Sequence, residues 1–179
     1  MLTTFVVEVE DRPGVLNRVA SLFRRRGFNI ESLAVGHTEK PGISRMTIVV
    51  ETDEGGALLV EANLYKLMPV LSVDDVTRKQ SLFRELAMIK VAADSKTRPV
   101  LLHLADVFRG RVVDITRDAM VIETTGSEHK IDKLVDLLRA YGILEMTRTG
   151  RIAMTRGSKA EESIAEYTKP GKEALTQSV

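Results

Sequence analysis

The 179-residue sequence contains no cysteine and no tryptophan, and aromatic residues make up only 4% of it. Without cysteine there can be no disulfide bond, no thiol nucleophile and no cysteine-based zinc site. The formal net charge of +1 gives the chain no overall attraction to nucleic acid or anionic lipid. No apolar run approaches the roughly 18 residues that a membrane-spanning helix needs, and the start lacks the layout of a signal peptide. We expect a cytoplasmic protein that binds neither nucleic acid nor membranes.

Residue patterns that carry catalysis are also missing. The three histidines, His37, His103 and His129, are scattered, and none stands at metal-ligand spacing from another. Gly55-Gly56 is not followed by the Lys-Ser or Lys-Thr of a phosphate-binding loop. No Gly-x-Ser-x-Gly segment of a nucleophile elbow occurs. We predict no catalytic residue and no metal site in this chain, and we expect it to act as a binding module.

Apolar residues alternate near the start of the chain and then change to a helical period. Phe5, Val7 and Val9 share one face of a predicted strand. The apolar residues that follow recur at i, i+3, i+4 and i+7, the period of an amphipathic helix: Leu16, Val19, Ala20 and Phe23. Gly27 is expected to end this helix as its C′ residue.

The rest of the first half continues this arrangement. Residues 29–37 and 44–51 predict two strands, and residues 57–68 predict a helix after a break at Gly55-Gly56. Residues 70–76 predict a fourth strand. The order β-α-β-β-α-β is that of a ferredoxin-like unit. We expect both helices on one face of an antiparallel sheet, which leaves the other face and one edge available.

The same order repeats after a polar joint at residues 77–81. One predicted helix begins near Pro99, and a second is capped by Ser127. A further short strand is expected at residues 151–155. Four strands surround these helices in the pattern, at residues 86–92, 111–115, 120–124 and 143–147.

The sequence therefore predicts an α+β fold of two tandem ferredoxin-like βαββαβ domains with antiparallel sheets. The predicted domains comprise residues 1–78 and residues 79–157. Residues 158–179 lack apolar periodicity and contain Pro170-Gly171, which predicts a flexible tail.

The strand-to-helix turn at residues 11–16, Asp-Arg-Pro-Gly-Val-Leu, is the first candidate for function. Asp11 can cap the helix, Pro13 suits its first turn, and Gly14 lets another group approach the backbone closely. A helix N-terminus attracts a small carboxylate through its unpaired N–H groups and partial positive charge. Asp11 could pair with an ammonium group, and the amide of Asn29 can donate and accept. These groups could hold a free amino acid, although an ordinary capped turn explains the same spacing.

Exposed cations are the second candidate. Arg24, Arg25 and Arg26 form the most basic local run, and Arg45 is expected at the exposed start of the third strand. The three consecutive arginines also complement the dipole at a helix C-terminus. They lack the interleaved aromatic residues of a nucleic-acid surface. We expect these four residues to be available to an acidic surface of a partner protein.

Four strings of residues resemble one known family. They are the turn at 11–16, Phe-Asn-Ile-Glu-Ser-Leu at 28–33, Ser-Arg-Met-Thr-Ile at 44–48 and Phe-Arg-Gly-Arg-Val-Val-Asp at 108–114. Over roughly residues 1–156 the chain resembles the regulatory (small) subunit of acetolactate synthase, also called acetohydroxyacid synthase. The resemblance implies an N-terminal ACT domain, the type of domain that senses amino acids, and an ACT-like C-terminal domain.

That resemblance also implies a role in branched-chain amino-acid biosynthesis. In this family the small subunit activates a catalytic (large) subunit and, in many members, confers feedback inhibition by valine. The resemblance places the cofactors, thiamine diphosphate, magnesium and FAD, on the catalytic subunit and none on this chain. It implies three partners: the catalytic subunit, a second copy of this chain in a homodimer, and a small amino-acid effector.

The resemblance further implies where the effector lies. In the family it sits between the first strand-to-helix turn of one subunit and the start of the second strand of the other. Gly14 would let the effector carboxylate approach the backbone amide of Val15, while Asn29 would reach across the interface. Asp11 stands where valine-sensitive relatives often have asparagine, and an anion beside the effector carboxylate costs about 1–3 kcal/mol. The expected effector residues are therefore Asp11, Pro13, Gly14, Val15, Leu16, Asn29 and Ile30.

Two other classes of function are weighed against this one. An amino-acid-responsive transcription regulator with paired ACT domains would need a DNA-reading helix and a basic footprint, and the sequence shows neither. A free-standing enzyme would need a catalytic constellation, which is also missing. The sequence leaves open which branched-chain amino acid is sensed and whether inhibition occurs.

Overall fold

The computed structural model describes residues 1–157, and each half of this region forms an antiparallel sheet with two helices. In the first half the strands lie in the order β2-β3-β1-β4, and all neighbouring pairs are antiparallel. This arrangement confirms the predicted ferredoxin-like unit. Its elements are β1 (Leu2–Glu10), α1 (Val15–Arg26), β2 (Ile30–His37), β3 (Ile43–Glu51), α2 (Glu54–Leu64) and β4 (Val70–Asp75).

The first core lies between this sheet and its two helices. The alternating residues of β1 predicted to face inward, Phe5, Val7 and Val9, are at most 1% exposed. The prediction for α1 is wrong at Leu16 and Ala20, which are exposed. The buried face is displaced from the predicted stripe but keeps helical spacing, at i, i+4, i+7 and i+8: Val15, Val19, Leu22 and Phe23.

The second helix begins and ends earlier than predicted. Asp53 is its N-cap, and the carboxylate accepts a hydrogen bond from the Gly56 amide at 2.7 Å. Gly55 and Gly56 therefore lie in the first turn instead of breaking the chain, because this cap offsets the low helix propensity of glycine. Leu67 and Met68 lie beyond the helix end, and Met68 is 82% exposed.

The second half repeats the order of elements, as predicted. Its strands lie in the order β6-β7-β5-β8. The apolar residues of the helix after Ser127 recur at helical spacing, which predicts a buried stripe, and all four are buried: Ile131, Leu134, Val135 and Leu138. The helix near Pro99 has a similar stripe in the sequence, but its members Val100 and Val107 are exposed. The elements are β5 (Ser81–Ala92), α3 (Arg98–Val107), β6 (Arg111–Ile115), β7 (Ala119–Gly126), α4 (Glu128–Arg139), β8 (Ile143–Arg148) and β9 (Ile152–Thr155).

The long strand β5 joins the two halves. Its second part pairs with β8, and its first four residues pair with β9. Ala153 of β9 packs with Phe83 of β5 against Val6 and Val76 of the first half. The expectation that the second face of the first sheet is free is therefore wrong where β9 covers it. A local pattern cannot reveal this, because the covering strand lies more than a hundred residues along the chain.

The segment between β4 and β5 contains the predicted division between residues 78 and 79. Within it, the Oγ1 of Thr77 accepts a hydrogen bond from the Thr4 amide at 2.9 Å, which ties the segment to β1. The predicted tail at residues 158–179 lies outside the described residues. None of the helices in residues 1–157 combines the length and apolar character that crossing a membrane requires.

Candidate functional site

The turn between β1 and α1 is built around a glycine. Gly14 is the N-cap of α1 with a φ of 83°, a left-handed conformation that strains any residue with a Cβ. No side chain caps this helix, and it begins at Val15, so the expected roles of Asp11 as the cap and Pro13 in the first turn are wrong. A Cβ added to Gly14 would meet no atom within 4 Å. The space above the turn is therefore open to a ligand.

The start of α1 can attract an anion. The first intrahelical hydrogen bond runs from the Arg18 amide to the Gly14 carbonyl, at 3.0 Å. The Val15 amide donates to the Arg12 carbonyl at 3.3 Å, so it is engaged within the turn. Helix geometry leaves the next amide, that of Leu16, without an intrahelical acceptor. A carboxylate here would be stabilised by free N–H groups and by the helix dipole.

Asp11 stands beside this helix start. Its backbone N–H donates to the Gly42 carbonyl at 2.8 Å, which fixes it against the loop between β2 and β3. Its carboxylate Oδ2 lies 3.4 Å from Nδ1 of His37, the last residue of β2. Sequence reasoning assigned no role to His37, because only the sheet brings it to the turn. Asp11 and His37 together place two ionisable groups at the rim of the open space.

Asn29 and Ile30 lie at the start of β2. Asn29 is exposed, and its Nδ2 donates to Oε1 of Glu31 at 2.7 Å. Ile30 is half-buried, pairs with Val50 of β3 and packs against the first core. An exposed hydrogen bond of this kind is readily exchanged, so the Asn29 amide is available to another group.

The turn and Asn29 lie at opposite ends of the sheet within one chain. Ile30 lies level with Thr3, at the beginning of β1, because both pair with the same residue of β3. His37 lies level with Val9, next to the turn, by the same register. The six residue steps from Thr3 to Val9 correspond to about 20 Å of strand. The structure thus does not bring the two groups of predicted residues together in a single subunit.

The strand that connects these two ends, β2, is an edge strand. Within residues 1–157 it pairs only with β3, so its other edge has no partner in the sheet. An open edge can accept another strand through its backbone N–H and C=O groups. Val35 is 47% exposed, and Gly36 and His37 are exposed as well. The edge is therefore accessible along the part of β2 that leads to the turn.

The predicted docking arginines of α1 lie in its last turn. There Arg24, Arg25 and Arg26 complement the helix dipole. Arg26 donates from Nη2 to Oδ1 of Asn63 on α2 at 2.9 Å. Arg24 and Arg25 are exposed, and their docking role stays a prediction.

Arg45 is less exposed than predicted. Its Nη2 donates to the carbonyl oxygen of Ala153 in β9 at 3.0 Å, and its Nη1 lies 3.7 Å from Oε1 of Glu8. The side chain is only 33% exposed. Arg45 therefore helps to hold the second half of the chain on the first sheet. The expectation that Arg45 is fully exposed is wrong, whereas its docking role stays a prediction.

A cavity of about 440 Å³ lies between the two halves, next to β2 and the loop between β8 and β9. One of its walls contains Glu85, which is 6% exposed and accepts hydrogen bonds from Nε and Nη2 of Arg148 at 2.7 and 2.8 Å. Nη1 of Arg148 donates to Asp132 of α4 at 2.7 Å. The hydrogen bonds to Glu85 and Asp132 raise the pKa of Arg148. These charges are largely satisfied by one another, which favours a structural role.

No three His, Asp or Glu side chains within residues 1–157 are placed to hold a metal ion together. His103 and His129 lie exposed on α3 and α4. The candidate ligand-binding groups are those of the turn and of β2. The turn offers N–H donors and the Asp11 carboxylate, and the start of β2 offers the Asn29 amide.

The two tandem βαββαβ units are ferredoxin-like halves of the type found in ACT-class proteins. Residues 5–72 match the family described as AHAS small subunit-like ACT domain, and residues 84–157 match the family described as small subunit of acetolactate synthase. A relative from Archaeoglobus fulgidus named "Probable acetolactate synthase small subunit" is 50% identical over 159 residues, 89% of this chain and 99% of the relative. The chain belongs to the acetolactate synthase small-subunit family.

Two further relatives agree with this membership. The acetolactate synthase small subunit of Mycolicibacterium smegmatis is 44% identical, over 87% of this chain and 92% of its own length. The crystal structure of the small subunit from Thermotoga maritima superposes with a TM-score of 0.81 at 36% identity, covering 88% of this chain and 98% of that chain. Membership of this family implies a catalytic large subunit as a partner. It decides against the transcription regulator that was weighed from the sequence.

Proposed function

We propose that this chain activates the thiamine-diphosphate-dependent catalytic subunit of acetolactate synthase and mediates its feedback inhibition by a branched-chain amino acid, with valine as the first candidate. In this proposal the chain catalyses no reaction itself. Thiamine diphosphate, magnesium and FAD bind to the catalytic subunit, which converts pyruvate to 2-acetolactate. The family membership supports the proposal, in which the complex acts in the cytoplasm.

The position of Asn29 carries the effector part of the proposal. Asn29 lies about 20 Å from the turn of its own chain, but β2 has an open edge. If two copies pair through β2 in antiparallel fashion about a twofold axis, the start of one strand lies beside the end of the other. Asn29 and Ile30 of the second copy then lie beside His37 and the turn. Such a homodimer contains two equivalent sites.

The chemistry of each site suits a free amino acid. The amides at the start of α1 hold the effector carboxylate, and the missing side chain of Gly14 leaves room for it. The Asp11 carboxylate at the rim pairs with the ammonium group. Leu16, which is 44% exposed, and Ile30 of the second copy contact the apolar side chain. A branched aliphatic side chain gains most from such contacts.

Inhibition follows from a shift between two arrangements of the dimer. The effector must bind more tightly to the arrangement that activates the catalytic subunit poorly, because a ligand with equal affinity for both shifts nothing. A site shared between subunits meets this requirement, since any change in β2 pairing moves Asn29 relative to the turn.

The test is to mix the purified chain with its catalytic subunit and to measure acetolactate formed from pyruvate. The rate should rise with added chain until it saturates, and it should fall when valine, leucine or isoleucine is added. Calorimetry on the chain alone ranks the three amino acids by their affinity for it. No rise in rate removes the activator proposal. A rise without binding of any of the three removes the effector part and leaves the activator part standing.

A further inference from the structure

Three cations from separate elements meet at a groove in the second half of the chain. Arg84 comes from β5, Arg109 from the turn after α3, and Lys130 from the first turns of α4. The groove has a volume of about 650 Å³, and Val107 and Phe108 form its apolar part. We call it the basic groove and define it by these five residues.

The charge of the basic groove is not neutralised by neighbouring carboxylates. Arg84 donates to the Phe83 carbonyl at 2.7 Å, and Lys130 donates to the Thr125 carbonyl at 2.6 Å, both neutral acceptors. Within residues 1–157 none of the three groove cations forms a salt bridge. The acidic residues closest in the chain to Arg84 and Lys130 are paired with other arginines: Glu85 and Asp132 with Arg148, and Glu128 with Arg151. Asp106, the acidic residue closest to Arg109 in the chain, forms no salt bridge with it.

The Lys130 ammonium group shows the consequence of this concentration of charge. Burial lowers its pKa, and the nearby charges of Arg109 and Arg84 lower it further. The aliphatic part of Lys130 lies over Gly126, where an added Cβ would come within 2.5 Å of its Cδ. The lysine is thus held at the groove although its charge is unfavourable there, and an anion from outside would relieve the repulsion.

The shape of the groove favours a protein segment over a small ion. It is open to solvent, and Val107 at its side is 60% exposed. A small anion would leave Val107 uncovered and would remain largely hydrated. A segment lying along the groove can pair with all three cations and cover the apolar part at once.

We propose that the basic groove docks an acidic segment of the catalytic subunit, in which carboxylates pair with Arg84, Arg109 and Lys130 and an apolar side chain covers Val107. This inference rests on the proposed function, since it needs a catalytic subunit that binds this chain. It gives the second half of the chain a role in assembly, separate from the effector site on the first half.

The test compares two variants that lose the same three charges. The groove variant carries Arg84→Gln, Arg109→Gly and Lys130→Gln. Glycine is chosen at 109 because Arg109 has a φ of 48°, a left-handed conformation that glycine adopts without strain. The control variant changes three exposed cations of the same half outside the groove: Lys96→Gln, Arg117→Gln and Lys133→Gln.

Two quantities are measured for the full chain: the Kd for the immobilised catalytic subunit, and the concentration that gives half-maximal activation. Both should rise by about 30-fold in the groove variant, because three modest ion pairs each contribute about threefold. In the control both should rise by less than about threefold. Raising the salt concentration should weaken the binding of the wild-type chain to the catalytic subunit more than it weakens the binding of the groove variant. If the groove variant has a lower unfolding midpoint than the control, Arg109→Gly alone carries the test, with about a threefold rise expected and no rise expected for Lys133→Gln alone.

The outcomes separate this inference from the proposed function. If the wild-type chain neither binds nor activates the catalytic subunit, the proposed function fails and the docking inference fails with it. If the wild-type chain activates and the groove variant matches the control, only the docking inference is overturned. If inorganic pyrophosphate binds the wild-type chain but not the groove variant, while both bind the catalytic subunit equally, the groove is a small-anion site and the inference is wrong.

Discussion

Replacing Gly14 separates the backbone and electrostatic requirements of the turn. Because Gly14 has a φ of 83°, a residue with a Cβ at this position is strained by about 1–2 kcal/mol. No clash adds to this strain, since the space around an added Cβ is empty. Gly14→Ala is therefore expected to lower the free energy of unfolding by about 1–2 kcal/mol. Gly14→Asp should lower it by less, because the helix start stabilises the new carboxylate. Urea denaturation measures this effect.

The two variants should differ sharply in their response to valine. Gly14→Asp places a carboxylate at the helix start, where it competes with the effector for the same N–H groups. Losing two hydrogen bonds to a charged group, at about 1.5 kcal/mol each, corresponds to at least about 100-fold weaker binding. Gly14→Ala carries the same strain without the charge, and we expect a loss of no more than about tenfold.

The assay is the valine concentration that halves acetolactate formation, with each variant normalised to its own rate without valine. Calorimetry gives the corresponding Kd for the isolated chain. If the wild-type chain and Gly14→Asp need the same valine concentration for half-maximal inhibition, the effector site does not lie at the turn. Equal losses in Gly14→Ala and Gly14→Asp would show that strain, and not competition for the helix start, explains the effect.

Three further predictions concern the second half of the chain. Arg148→Met leaves Glu85, which is 6% exposed, without its two hydrogen bonds, and it should lower the free energy of unfolding by about 2–4 kcal/mol. Adding Glu85→Gln should restore part of this free energy, and a double variant that shows no recovery would contradict the explanation. Ser127→Ala removes the N-cap acceptor of α4 and should cost about 1 kcal/mol, with Ser127→Asn as the control. Hydrogen bonds from Thr97 lower the pKa of Asp94 below 3.8, so its contribution is present above that pH and is lost as pH falls through the folded-state pKa. Wild type should therefore exceed Asp94→Asn in stability near neutral pH and approach it in acid, as measured by denaturation across pH.

Elements whose partners are close in the chain could be predicted from the sequence. The alternation of Phe5, Val7 and Val9 and the stripe of α4 follow directly from burial against one layer. The error at Leu16 and Ala20 has a physical cause: both the predicted and the observed faces of α1 contain enough apolar residues to form a stripe. Only the sheet beneath the helix selects between them.

Contacts between the two halves could not be predicted in this way. Arg45 occupies a position in β3 whose side chain points away from the first core, so exposure was the natural expectation. Its partner, the carbonyl of Ala153, lies 108 residues away in the chain. The same reason hides the ion pair of Glu85 with Arg148, which are separated by 63 residues. No local period records such pairings.

The candidate effector site shows both situations. Gly14 could be identified from sequence, because a glycine between a strand and a helix marks a special backbone conformation. The contact of Asp11 with His37 depends on the register of β2 against β3 and of β3 against β1, so it becomes visible only in the sheet.

The separation of the turn from Asn29 along β2 has a genetic consequence. In the proposed dimer, a chain defective at Gly14 and a chain defective at Asn29 each form homodimers with no working site. A hybrid of the two has one site bearing both lesions and one bearing neither. Equal mixing of the two inactive chains should therefore recover about a quarter of the wild-type capacity for valine. Two lesions in a pocket confined to one subunit would show no such complementation.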